Sequence, residues 1–296
     1  MNIVNYIEPL YRPPSEARSL ILQITNGCSY NQCTFCSMYR APQKKFSAKS
    51  EQDVSAEIVS VSRRIPSVDR VFLADGDAMA LSIRRLLHVL GCIRTHLSSV
   101  RRVSAYCLPR NLKNKTVDQL VQLRDAGLQL VYVGVESGDD EVLEKVCKGE
   151  TYQSTLEALN KLKAAGISVS VMVLNGLGGR LLSAQHAVNS ARLVSAAQPQ
   201  YLSTLVLSLP QGEARFQQGF AGAYQPLNQL ELFTEMELFV DNLHLDKTIF
   251  RSDHASNYLV LKGVLGRDKA RLLAQVRSAI ADPNATGLRP EWARGF

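Results

Sequence analysis

Hydrophobic residues recur along this chain in two alternating patterns. Short, nearly continuous apolar runs fall at Ser19–Thr25, Arg70–Ala74, Arg102–Tyr106, Leu128–Val135, Ile167–Leu174 and Tyr201–Leu209. Each is β-branched or leucine-rich and too short for an ordinary helix, the pattern of a strand buried on both faces. Between them lie amphipathic stretches at Glu51–Arg64, Ser82–Leu97, Thr116–Ala126, Asp140–Val146 with Tyr152–Ala165, and Leu182–Ala196. In Ser82–Leu97 the positions Ile83, Leu86, Leu87, Leu90, Ile93 and Leu97 repeat near a 3.6-residue period, leaving Arg84, Arg85 and His88 opposite. Asp125-Ala126-Gly127 and Ala164-Ala165-Gly166 place glycine at a helix C-terminus directly before a strand.

Strand, helix, glycine, repeated about six times, predicts a parallel sheet with right-handed crossovers. A repeat of about 30 residues suits a β/α barrel, and six units fall short of the full eight. The predicted fold is therefore α/β, an incomplete (β/α)6 TIM-like barrel with a mostly helical C-terminal extension. The expected division is a lead-in over residues 1–18, the partial barrel over 19–210, and the extension over 211–296, placed as a cap over the barrel mouth. The extension reads as a helix near Leu230–Leu243, an irregular polar stretch, a helix near Asp268–Ala281 and a Pro/Gly-rich end.

Composition narrows the class. With 46% hydrophobic and 21% charged residues among 296, the chain is neither disordered nor a small disulfide-stapled scaffold. No apolar run approaches the ~18 residues of a transmembrane helix. Met1–Tyr6 lacks a basic region followed by an apolar core, so no signal peptide is expected and a cytoplasmic location is. The net charge of +7 suits a polyanion or an ordinary enzyme equally. Arg40, Lys44, Lys45 and Lys49 are interleaved with only Tyr39 and Phe46, so they read as a solvated basic face rather than an RNA-stacking stripe.

Chemistry concentrates at the ends of the predicted strands, where a parallel barrel carries its site. Cys28, Cys33 and Cys36 crowd into nine residues after the first strand, while Cys92, Cys107 and Cys147 are scattered and read as small buried hydrophobes. Three thiolates on one loop can hold three corners of a cubane iron–sulfur cluster. Structural zinc needs a fourth protein ligand, and neither a second cysteine pair nor finger-spaced histidines supply one. An open iron predicts that something binds there. Asp75-Gly76-Asp77 follows the second strand, Tyr106-Cys107 closes the third, Glu136 follows the fourth and Gly176-Leu177-Gly178-Gly179 the fifth. No dinucleotide or P-loop glycine fingerprint is present. Ser137 suits the cap of the helix that starts near Asp139. The polar run Phe250–Tyr258 carries Arg251, Asp253, His254 and Asn257. Asp253 and His254, with Tyr106, are the candidates for catalytic or proton-transfer roles.

Cys28, Cys33 and Cys36, on the loop after the first strand of an incomplete barrel, resemble the radical S-adenosylmethionine (SAM) superfamily over about residues 15–210. The likeness is nearest the tRNA methylthiotransferases, the elongator catalytic subunit and oxygen-independent coproporphyrinogen dehydrogenase. The usual spacing is Cys-x3-Cys-x2-Cys, whereas four residues separate Cys28 from Cys33 here. The resemblance implies that the three cysteines ligate a [4Fe–4S] cluster whose fourth iron is chelated by SAM. It places Phe35 near the adenine, the backbone of Asp75, Gly76 and Asp77 at the SAM ammonium, and Glu136 at the ribose. Lys148 falls at the SAM carboxylate and Gly176 in the turn supporting the adenine. It implies reductive cleavage of SAM to a 5′-deoxyadenosyl radical that abstracts hydrogen from substrate, with a flavodoxin or ferredoxin as electron donor. Lack of a further cysteine-rich segment points away from an auxiliary cluster. A small-molecule substrate is expected ahead of RNA, with a non-enzymatic iron–sulfur carrier as the third alternative.

Overall fold

Local chemistry starts the helices where the periodicity places them. A computed structural model describes residues 4–210, 213–282 and 287–295. The helices are α1 (Glu51–Arg64), α2 (Ile83–His96), α3 (Val117–Asp125), α4 (Asp140–Lys145), α5 (Tyr152–Ala164), α6 (Gly179–Ala197), α7 (Ala214–Gly219), α8 (Gln229–Asn242) and α9 (Lys269–Ala281). Ser50 caps α1 by accepting a hydrogen bond from the Asp53 amide, and Ser82 caps α2 in the same way from Arg85. Thr116 and Gln119 close a reciprocal capping box on α3, as Asn228 and Glu231 do on α8.

The strands are β1 (Leu20–Gln23), β2 (Thr25–Asn26), β3 (Ser47–Ala48), β4 (Arg70–Ala74), β5 (Arg102–Cys107), β6 (Leu128–Glu136), β7 (Ser168–Asn175), β8 (Tyr201–Val206), β9 (Ile249–Ser252) and β10 (Leu261–Val264). Among the described residues, eight form one sheet in the order β1-β4-β5-β6-β7-β8-β9-β10, and β2 pairs with β3 separately. Nearest sequential order with helical crossovers is the topology expected of a β/α barrel chain.

The chain divides into two compact units. The first holds the described residues up to Asn31, Met38–Val133 and Asn160–Val169. In it β1, β4, β5 and β6 pair in parallel. Alternate strand positions bury Phe72, Ala74, Leu130 and Tyr132 on one face, against Leu10, Ile21 and Tyr106. The lead-in runs along this unit, with Ile7 donating its amide to Gln23 Oε1 at 2.8 Å. Glu16 is fully buried there, receiving Arg102 at 2.8 Å and the Tyr132 hydroxyl at 2.6 Å.

The second unit holds Gln32–Ser37, Gly134–Leu159 and the described residues from Ser170 onward. Here β7, β8 and β9 are parallel, and β10 runs antiparallel to β9. Periodicity missed β9 and β10, which lie in the stretch read as irregular. Each has four residues, with Arg251 and Lys262 exposed, too little alternation to stand out from a polar loop. Gln211 and Gly212, at the expected end of the barrel, and residues 283–286 of the tail lie outside the described residues.

Candidate functional site

In the first unit, the loop carrying Cys28 is tied down by the turn after β4. Asp75 accepts the Gly27 amide at 3.2 Å and forms an ion pair with Lys44, both side chains being fully buried. Asp77 accepts the Ser29 amide at 3.2 Å and its hydroxyl. Burial is the largest influence on both carboxyls and pushes them above the ordinary range. Lys44 opposes it at Asp75 and Ser29 at Asp77. A Cβ at Gly27 would lie 2.0 Å from the Lys44 carbonyl oxygen, and one at Gly76 would lie 2.3 Å from the Tyr39 ring, so both positions require glycine.

This geometry also accommodates the longer cysteine spacing. Asn31 lies between Cys28 and Cys33 with φ of 44°, a left-handed conformation that asparagine tolerates. Its side-chain amide donates to the Tyr39 carbonyl at 2.8 Å, and Arg110 stacks 3.7 Å from the centre of the Tyr30 ring. The basic run after the loop is not a solvated face throughout. Lys44 is buried by its pairing with Asp75, and Lys49 is paired with Glu57 at 2.8 Å.

In the second unit, Cys33, Phe35 and Cys36 meet the residues that follow β6. The Thr34 amide donates to the Val146 carbonyl at 2.9 Å, and Arg215 donates to the Gln32 carbonyl at 2.6 Å. Lys148 is 5% exposed, lies 3.4 Å from Glu136 Oε1, and sits 5.9 Å from the centre of the Phe35 ring. Burial alone would lower its basicity. Glu136 and the thiol groups of Cys33 and Cys36 outweigh that and hold Lys148 above its ordinary value. Glu136 takes φ of 66°, strained for a side-chain-bearing residue. A Cβ at Gly134 would come 2.1 Å from Glu136 Oε1, so that glycine makes room for the carboxylate. The cap of α4 is Asp139, which accepts the Val142 amide at 3.0 Å, rather than Ser137.

Gly176 closes β7 with φ of 83°; its amide donates to Glu235 Oε1 at 2.6 Å and its carbonyl accepts the Tyr224 hydroxyl at 3.0 Å. Tyr106 lies in the first unit, edge-on to Phe72 and Tyr132. In the second unit Asp253 pairs with Lys262 at 2.9 Å, and His254 Nδ1 lies 2.9 Å from Ser256 Oγ. Burial and Arg289 lower the His254 pKa below its ordinary value. Arg289 donates to the carbonyls of His254, Ala255 and Asn257, so the tail closes over this turn. Cys107 is buried as expected and Cys92 half-buried. Cys147 is exposed, because it ends α4 in a left-handed conformation. Sequence reasoning missed Lys44, Gly134, His186, Tyr224 and Glu235. Only Gly134, two residues before Glu136 in a glycine-bracketed turn, carried a local signal.

The donor set fits an iron–sulfur cluster. Cys28, Cys33 and Cys36 are half-buried thiols on one short loop, and the Lys148 ammonium lies near Cys33 and Cys36, which favours their thiolate forms. Among the described residues no three Cys, His, Asp or Glu side chains converge on a single-ion position; a cubane takes each thiolate on a different iron.

Comparison with known proteins defines the class. The radical SAM superfamily profile matches residues 22–193, and the chain belongs to this superfamily of enzymes, which work with a [4Fe–4S] cluster and SAM. It is 22% identical over 185 residues to the heme chaperone HemW of Bacillus subtilis, covering 62% of this chain and 48% of that protein. It is 28% identical over 173 residues to a tRNA-2-methylthio-N(6)-dimethylallyladenosine synthase of Dehalococcoides mccartyi, covering 56% of this chain and 39% of that one. The chain thus spans half or less of the length of these relatives. Its fold resembles coproporphyrinogen III oxidase (HemN) from Escherichia coli, with a TM-score of 0.57 and 19% identity over 76% of this chain and 54% of the other. Among the described residues no helix is long and apolar enough to cross a membrane.

Proposed function

We propose that this chain binds a [4Fe–4S] cluster through Cys28, Cys33 and Cys36 and cleaves SAM reductively to act on a small-molecule substrate. The observation that carries this reading is the buried Lys148–Glu136 pair beside Cys33 and Cys36. When bound, cluster and SAM supply a carbon radical able to remove hydrogen from an unactivated C–H bond. Lys148 would hold the SAM carboxylate as a fixed cation. Glu136, acceptor-only when ionised, would take both ribose hydroxyls. Phe35 would pack against the bound nucleoside, and the backbone of the Asp75-Gly76-Asp77 turn would accept from the SAM ammonium. The Gly176 turn would support the adenine.

A small molecule is favoured over RNA because Lys44 and Lys49, the centre of the basic run, are engaged by Asp75 and Glu57. The electron would come from a flavodoxin or ferredoxin. The test is anaerobic reconstitution with iron and sulfide, dithionite reduction with SAM, and assay of 5′-deoxyadenosine. Wild-type protein is expected to form it, and Cys28→Ala, Cys33→Ala and Cys36→Ala to lose it by about 100-fold or more. A fully formed cluster that neither binds nor cleaves SAM would leave the carrier reading in its place.

A further inference from the structure

The turn that presents Glu136 is gripped by one face of α6. The Gly138 amide donates to Ser190 Oγ at 2.9 Å. Asp139 receives the Asn189 side-chain amide at 2.6 Å and that of Gln185 at 3.1 Å. A Cβ at Gly138 would lie 2.3 Å from the Asn189 carbonyl oxygen, so helix and turn are in direct backbone contact. At the centre is His186, which is 1% exposed. Its Nε2 lies 3.0 Å from the Leu174 carbonyl oxygen and its Nδ1 lies 2.8 Å from Ser137 Oγ.

These contacts fix the orientation of the ring. A carbonyl only accepts, so Nε2 carries a hydrogen and donates it to Leu174, while Nδ1 shares the second hydrogen bond with the Ser137 hydroxyl. Ser137 Oγ in turn accepts the Asp139 amide at 3.0 Å. The ring therefore joins the residue after Glu136 to the residue two before Gly176. The far side of that second turn is held by Glu235 and Tyr224, and Glu235 also takes the Ser183 hydroxyl of α6 at 2.6 Å.

We propose that His186 is a positioning residue for SAM. Its imidazole locks the end of β6, which presents Glu136, to the end of β7, which presents the Gly176 turn. The ribose and adenine contacts are thereby held at one spacing before SAM arrives. This rests on the reading of Glu136 and Gly176 as SAM contacts. A strained Glu136 has no such spacing on its own, since a left-handed backbone relaxes once its hydrogen-bonded surroundings are removed.

The test uses cluster-reconstituted protein, with SAM titrated against the electron paramagnetic resonance signal of the reduced cluster. Glu136→Gln sets the reference and is expected to weaken SAM binding about 10-fold. His186→Asn can keep the Ser137 arm and His186→Gln the Leu174 arm, and both preserve much of the buried volume. Each is expected to weaken SAM binding about 3- to 10-fold, with iron content unchanged, KM raised and kcat at saturating SAM within about 2-fold. His186→Ala is expected to exceed both and to be non-additive with Glu136→Gln. Wild-type SAM affinity in His186→Asn and His186→Gln, beside a weakened Glu136→Gln, overturns the positioning role. So does a loss confined to kcat. An unchanged Glu136→Gln overturns instead the reading of Glu136 on which the proposal stands.

Discussion

Two acidic turns follow parallel strands in this protein, and they do opposite things with their carboxylates. After β4, Asp75 and Asp77 are turned inward on Lys44, the Gly27 amide and Ser29, so that the acids fasten the loop carrying Cys28. After β6, Glu136 is held in a left-handed backbone and lies at 3.4 Å from Lys148, a looser pairing beside Cys33 and Cys36. A carboxylate at a strand end is thus a chain fastener where one of its oxygens is taken up by amides, a hydroxyl or a cation of the same unit. It is a candidate ligand contact where the backbone is strained to present it.

The largest expected effect breaks the first turn. Lys44→Met leaves Asp75 buried without its cation and should destabilise the protein by about 3–5 kcal/mol. Lys44→Met combined with Asp75→Leu should recover most of that loss, because an apolar pair of similar volume has no charge to desolvate. Urea unfolding of the two variants measures both. If Lys44→Met unfolds at the wild-type midpoint, Asp75 is not a fastener and the contrast between the turns collapses.

The second turn should lose binding with a smaller change in stability. Glu136→Gly relieves the unfavourable φ of 66° but leaves the buried Lys148 without its carboxylate, and the two effects oppose; the net loss of stability should stay below that of Lys44→Met, within about 2 kcal/mol, while SAM affinity falls about 10-fold. Gly134→Ala probes the same carboxylate from below. The new Cβ would displace Glu136 Oε1, 2.1 Å away, and SAM binding should weaken several-fold (roughly 3-fold or more) with cluster content unchanged. Calorimetry and SAM titration on the same preparations separate the two readouts. A Glu136→Gly protein that loses as much stability as Lys44→Met would mean that the carboxylate is structural there too.

Much of this was legible in the sequence because it depends on local pattern. The span Arg70–Ala74 was read to the residue, and α1 likewise, since a run of buried apolar residues and a Ser cap are both written within a few positions. Cys28, Cys33, Cys36 and Glu136 could be picked out as candidates by their place after a strand, and Lys148 only through the resemblance to the superfamily. What could not be read was pairing across long separations. Nothing near Lys44 distinguishes it from Lys45, yet one is fully buried against Asp75 and the other exposed. The same holds for His186, 49 residues from Ser137 in the chain, and for Glu235, 59 residues from Gly176. β9 and β10 were missed because short strands owe their existence to the neighbour they extend rather than to their own periodicity.

The smallest expected effect tests whether the first turn carries any electrostatic cost. Burial, the largest influence on Asp77, raises its carboxyl pKa above the ordinary 3.8 despite the Ser29 hydroxyl, the Ser29 amide, Asn111 and Lys115. The folded protein therefore holds that proton more tightly than the unfolded chain. The sign follows by linkage: the contribution of Asp77 to stability is fully present below pH 3.8 and is lost as pH rises through the raised value. Asp77→Asn keeps an oxygen to accept from Ser29 and has nothing to ionise. Its stability relative to wild type should accordingly improve between pH 4 and 7 by on the order of 1 kcal/mol. Urea midpoints across that range measure the slope. A variant that instead loses ground as pH rises would show that Asp77 is stabilised as an anion, and would place it with Glu136 as a charge held ready for a ligand.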